Sequence, residues 1–372
     1  MRPGSRWNGD ATSPIAAAIY CALVALIVAF ALSYVFGRFG MGVVAAKHAW
    51  DSPGAFHLAA LNLYASQHVP LLGYGTIPGE SALLRAHVTF PLTLWALIPF
   101  FALILGGSLA ARSRTAAGRW GMIFPAVAGG VLYAVVLTAA AAFVGAKFAS
   151  VALSAVNGTE FNPPPVPFRP SVANSLWACG VFAVISTYLG AILAVRFSPQ
   201  HTMAGKWWAC MKAIFVTGLL IQLLFAAVGF VMFTRSETSG DAKFVQVLPA
   251  VAGIGYSAVY GASLSYGALP TAMPSAGYSG RIELYRGIVS KGAGATKHSR
   301  FGGYGWIAAG LAALVAFLAG RQSVRLGSRD GSLPTAFRIV ILQAAYTALI
   351  MWLCGLGWGM AGQFRAYMSL HY

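Results

Sequence analysis

Four of the seven histidines, His48, His57, His68 and His87, fall in one stretch of the first half of the chain. Clustered imidazoles are common raw material for zinc, copper or haem ligation. Their spacing does not converge, because the eleven residues from His57 to His68 cover about 16 Å of helix at 1.5 Å per residue, too far to share one ion. No HxH or HxxxH pair exists, so these histidines are read as interfacial polar groups, and neither a metal site nor a cofactor is expected.

The carboxylates are informative by position. All eight, Asp10, Asp51, Glu80, Glu160, Glu237, Asp241, Glu283 and Asp330, fall outside the long apolar runs. Proton-coupled carriers usually hold a titrating carboxylate or histidine inside the bilayer. Carboxylate coupling is therefore not expected unless Glu80 or Glu283 folds inward. The chain carries no phosphate-binding loop, dinucleotide fingerprint, GxSxG, HExxH or paired-cysteine motif, so no catalytic residue is assigned.

The most specific pattern is one that repeats. A shift of 192 lays Tyr64, Leu72, Tyr74, Gly75 and Pro78 on Tyr256, Leu264, Tyr266, Gly267 and Pro270. A shift of 213 lays Leu105, Gly107, Arg112, Gly118, Phe124, Val127 and Tyr133 on Leu318, Gly320, Arg325, Gly331, Phe337, Val340 and Tyr346. Chance identity in such a biased composition is about one in ten, and the two matches are collinear, which points to an internal duplication. Glycine and proline near a membrane surface break helices and free backbone groups to bind a solute where they line a cavity. Tyr64, Tyr74, Gly75, Pro78, Tyr256, Tyr266, Gly267 and Pro270 are accordingly the candidates for a substrate path. The competing explanation is that the tyrosines anchor the interface and Gly-Pro makes a turn.

The elements that must position these residues are set by hydropathy. The 372 residues are 58% hydrophobic and 9% charged, far from a water-soluble composition. Seven runs are long enough to cross or nearly cross a core of about 30 Å: Pro14 to Phe36, Phe90 to Ala111, Gly121 to Phe148, Ala173 to Val195, Ala213 to Thr234, Gly302 to Gly320 and Ala336 to Met360. They leave little room for a soluble domain, so an all-α membrane protein is expected. Ala55 to Leu72 starts after Ser52-Pro53 and is interrupted at Pro70. It places Leu58, Leu61, Ala65, Val69 and Leu72 on one face, as an interfacial or re-entrant helix would. Val247 to Leu269 is its expected counterpart. Asn162-Pro163-Pro164-Pro165 makes a stiff extended connection.

The net charge of +17 is spread over successive connections. That distribution fits orientation and contact with a bilayer holding anionic lipids, with no nucleic-acid partner. Arg2 and Arg6 before an uncleaved first run predict a cytoplasmic N-terminus in a bacterial plasma membrane. Cys21, Cys179 and Cys354 lie within apolar runs and Cys210 beside one, which argues against a disulfide framework.

Together these features predict residues 1–148 as one membrane repeat and 213–372 as a second copy, parallel about an axis along the membrane normal. Residues 149–212 would supply the proline-rich connection, a linker span and a basic loop. Making Val247 to Leu269 a full crossing gives eight spans and a slightly better basic-residue bias, but breaks the repeat. The function expected is a passive pore or carrier subunit for a small neutral or anionic solute. The alternatives are a membrane scaffold with membrane-protein partners and, third, an intramembrane enzyme.

Overall fold

A computed structural model describes residues 13–41, 54–76, 83–90, 93–114, 118–148, 153–154, 160–161, 166–195, 203–234, 243–270, 278–283, 287–292, 295–299, 304–325, 332–354, 357–361 and 364–371. Among them, seven helices are long and apolar enough to cross a membrane. They are α1 (Pro14–Phe36), α3 (Leu97–Arg112), α4 (Gly118–Ala141), α5 (Val172–Val195), α6 (Met203–Thr234), α8 (Tyr304–Arg325) and α9 (Ser332–Cys354). Two shorter helices are α2 (Ala55–Ser66) and α7 (Lys243–Val259). In hydrocarbon a helix satisfies its own backbone, which is why these runs of Ala, Leu, Val and Ile take that form. Their ends follow local chemistry. Ser13 caps α1, its hydroxyl accepting from the Ala16 N–H at 3.1 Å, and Pro14 fills the first turn where its missing N–H costs nothing.

The helical expectation holds for the spans, and the connections add strands that it did not include. The described connections carry twelve strands: β1 (Leu71–Thr76), β2 (Leu83–Thr89), β3 (Ala146–Phe148), β4 (Leu153–Ser154), β5 (Glu160–Phe161), β6 (Val166–Pro170), β7 (Ser263–Pro270), β8 (Tyr278–Glu283), β9 (Gly287–Gly292), β10 (Ala295–Ser299), β11 (Gly357–Ala361) and β12 (Phe364–His371). Ten of them form one sheet in the order β10-β9-β8-β7-β12-β11-β2-β1-β6-β3, and β4 pairs with β5 separately. A search for runs of about 20 apolar residues is blind to such strands. Segments like Leu-Gly-Tyr-Gly-Thr (72–76) are too short and polar to register as spans, and they satisfy their backbone by pairing instead.

The chain divides into two compact units, residues 1–69 with 95–145 and 170–197, and residues 70–94 with 146–169 and 198–372. Helix α5 therefore packs with the first unit, and the strand-bearing connections belong to the second. In the first unit α1 and α5 each pack against both α3 and α4. The approach is set by two glycine pairs. A Cβ on Gly106 or Gly129 would meet Cys21 of α1 at 2.7 and 2.5 Å, and one on Gly107 or Gly130 would collide with Thr187 of α5. In the second unit α6 packs on α7, α8 and α9, and α7 on α9. All four cysteines are free and buried.

Candidate functional site

Helix α2, expected as an interfacial or re-entrant segment, buries more than its apolar stripe. Leu58 and Leu61 are buried, and so are Asn62, Ser66 and Gln67 from the other face, while Phe56 and His57 stay exposed. Its N-cap is Gly54, while Ser52 and Pro53 lie outside the described residues. It stops six residues before the expected Leu72, because His68 turns left-handed at φ 64° and the Val69 N–H closes back on the Tyr64 carbonyl. Helix α7 ends identically. Gly261 is left-handed at φ 96°, and the Ala262 N–H closes on the Ser257 carbonyl. Each cap hands the chain directly to a strand, β1 or β7.

Buried polar side chains gather where each short helix meets a long one. In the first unit the fully buried Tyr64 donates its hydroxyl to the Leu137 carbonyl of α4. The Gln67 amide nitrogen donates to the Tyr133 hydroxyl oxygen at 3.0 Å and to the Leu63 carbonyl at 3.2 Å. The Gln67 carbonyl oxygen is buried with no hydrogen-bond partner among the described residues.

The second unit repeats this chemistry with the partners exchanged. Gln343 of α9 donates its amide to the hydroxyl oxygens of Tyr256 and, at 3.2 Å, Tyr260, both at the end of α7. The Gln222 amide of α6 donates to the Tyr346 hydroxyl at 3.1 Å. The ring of Tyr256 meets Tyr346 edge-on at 5.7 Å and Tyr260 at 5.1 Å. Thr347 is buried one turn beyond Gln343, whose carbonyl oxygen again has no partner among the described residues. Relative to the two caps, Gln67 and Tyr260 hold the same position, each just before the left-handed residue. In one unit the short helix supplies the amide and the span the phenol. In the other the roles are reversed.

Tyr64 and Tyr256 are phenols, which ordinarily ionise only at about pH 10, so both stay neutral at physiological pH. Each cluster thus offers an unpaired amide carbonyl as acceptor and phenols as donors, with no formal charge. An uncompensated polar atom in such a place costs about 1–3 kcal/mol, a cost that a hydrogen-bonding ligand or water removes.

Of the eight sequence candidates, only Tyr64 and Tyr256 enter these clusters. Tyr74 is exposed on β1 opposite Arg85, and Gly75 lies opposite Leu84 in the same ladder. Tyr266 and Gly267 sit mid-strand in β7, between β8 and β12, and Pro270 ends that strand opposite Phe364. Pairing engages the backbone that a broken helix would have left open. Pro78 and the 162–165 proline run lie outside the described residues.

Gln67, Gln222, Tyr260 and Gln343 are not among the sequence candidates, and Tyr133 and Tyr346 appear there only as mates in the second repeat match. Neutral amides inside or beside apolar runs are the signal that marks the glutamines. Among the histidines, His57 and His87 are exposed and His68 is half-buried, while His48 lies outside the described residues. No group of three or more His, Cys, Asp or Glu suited to a metal ion occurs among the described residues. Comparison with protein-family models, with curated proteins and with solved structures finds no match.

Proposed function

We propose that this is a multi-pass carrier subunit of a bacterial plasma membrane that handles a small, neutral, hydrogen-bonding solute such as a polyol or an amide. The observation carrying the reading is the Tyr256–Gln343–Tyr260 cluster, where a buried amide carbonyl awaits a donor beside phenols that can give one. Short helices that stop within the membrane and hold polar groups there are a layout carriers reuse. Because both clusters are uncharged, the solute class narrows from neutral or anionic to neutral.

We further propose seven crossings, with α2 and α7 entering from the outer side, in two copies of one plan. The order short helix, strands, span, span, strands occurs twice, which supports duplication. The caps align at a shift of 193 rather than 192, so one residue is lost between cap and strand in the second copy. The crossing number is supported by the ladder between β2 and β11. A hydrogen-bonded sheet cannot be divided by a hydrocarbon core, so the connections carrying β2 and β11 share one side. Six spans between them satisfy this, and a crossing by α7 would not.

The test is flux. Proteoliposomes diluted into hyperosmotic glycerol or urea should re-swell at least about tenfold faster than protein-free vesicles, and Gln343→Leu should remove most of the gain. Permeability equal to empty vesicles for a panel of polyols and amides would defeat the reading. It would favour the second one, an outer assembly scaffold, for which the ten-stranded sheet is the specific support.

A further inference from the structure

One end of the second unit gathers cations. A layer of Cys210, Ile214, Ala319 and Ile339 joins α6, α8 and α9. Just beyond it toward the start of α6 and α9 and the end of α8 lie Lys206, Arg321, Arg325 and Arg338. In sequence, residues 196–212 and 321–338 carry seven Lys and Arg against the single acid Asp330. Arg338 is the unusual member. It lies about 9 Å along α9 from its first residue, is only 5% exposed, and holds its guanidinium 6.0 Å from the Trp207 ring. The ammonium of Lys212 lies 5.6 Å from the Trp208 ring. Around and beyond these cations the same helices expose apolar side chains, Phe337 next to Arg338 and, further along, Phe215 and Val340.

We propose that this end binds an anionic phospholipid, its phosphodiester held by the cations at α6, α8 and α9 and its acyl chains lying on Phe215, Phe337 and Val340. Tryptophan pairs mark headgroup depth, and a cation placed over an indole is already oriented at that depth. Each Lys or Arg near an anionic leaflet adds an increment that multiplies affinity about fivefold. A bare phosphate shares the headgroup chemistry but has nothing to lay on the apolar flank, so the lipid is the occupant. The inference is independent of what the chain transports.

Native mass spectrometry of the full chain, titrated with phosphatidylglycerol or phosphatidylcholine, tests it. Wild type should bind phosphatidylglycerol at least about tenfold more tightly, and 20 mM inorganic phosphate should leave that preference intact. Arg321→Gln and Arg325→Gln, both at exposed positions, should each weaken phosphatidylglycerol alone by about fivefold, and Arg338→Gln should do so more strongly if it folds. Arg112→Gln, an exposed residue ending α3, should change nothing. Equal affinity for the two lipids, a loss on Arg112→Gln as large as on Arg325→Gln, or displacement by phosphate would each overturn the proposal.

Discussion

The two units solve the problem of packing membrane helices differently. In the first, half of each span's apolar window is buried for α3, α4 and α5, and glycine pairs let backbones touch. The spans α1 and α9 are alike at 33%, but in the second unit burial falls to 17% for α6 and 22% for α8, and Phe225, Tyr256 and Tyr346 make much of the contact beside close glycines such as Gly253 against Cys354. Without a hydrophobic force between helices in lipid, close backbone approach is what holds a bundle together. The first unit is a tight body, whereas the second leaves Leu220, Leu223 and Leu224 of α6 exposed to whatever surrounds it. The proposed lipid site and the Tyr256–Gln343–Tyr260 cluster that carries the proposed function both lie in the less buried second unit.

The largest expected effect breaks that contrast at its base. Gly107→Val should prevent folding, since a side chain there collides with the Thr187 backbone, a cost of at least about 3 kcal/mol. Gly310→Val on α8 has nothing within 4 Å of its new Cβ and should be silent. Thermal unfolding in detergent reads both, and equal damage from the two would erase the distinction between the units. Next in size, Tyr256→Phe removes a buried hydroxyl that accepts from Gln343 and should cost about 1–2 kcal/mol of stability together with most of the solute flux. Below that effect on flux and stability together, Gly261→Ala forces a side chain into the left-handed cap and should lower stability by about 1 kcal/mol, measured as the same melting shift. Smaller still, Tyr74→Ala, on an exposed strand position, should leave stability within about 0.5 kcal/mol.

Much of the span pattern was legible. Pro14 to Phe36 was placed to the residue, because a proline opens a run of 23 residues in which Ser33 is the one clearly polar side chain. Gly121 to Phe148 ran seven residues too far, since Phe143 and Val144 remain apolar after the helix has ended at Ala141. The sheet was not legible at all. Its strands come from connections far apart in sequence, so no local window contains the partner that makes β2 and β11 favourable. The site was half legible, with Tyr64 and Tyr256, and Tyr133 and Tyr346, marked by repetition. The amides were missed because Gln343 and Gln222 look unremarkable until the fold brings a phenol to each.

Whether α7 stops inside the membrane decides both the buried site and the single-sided sheet. Single cysteines at Ser290, in β9, and at Ser328, between α8 and α9, measure it directly, since the four native thiols are buried. In intact cells a membrane-impermeant maleimide should label Ser290→Cys and leave Ser328→Cys unlabelled until the membrane is opened. Labelling of Ser328→Cys with protection of Ser290→Cys would mean that α7 crosses, which would separate β2 from β11 and contradict the account.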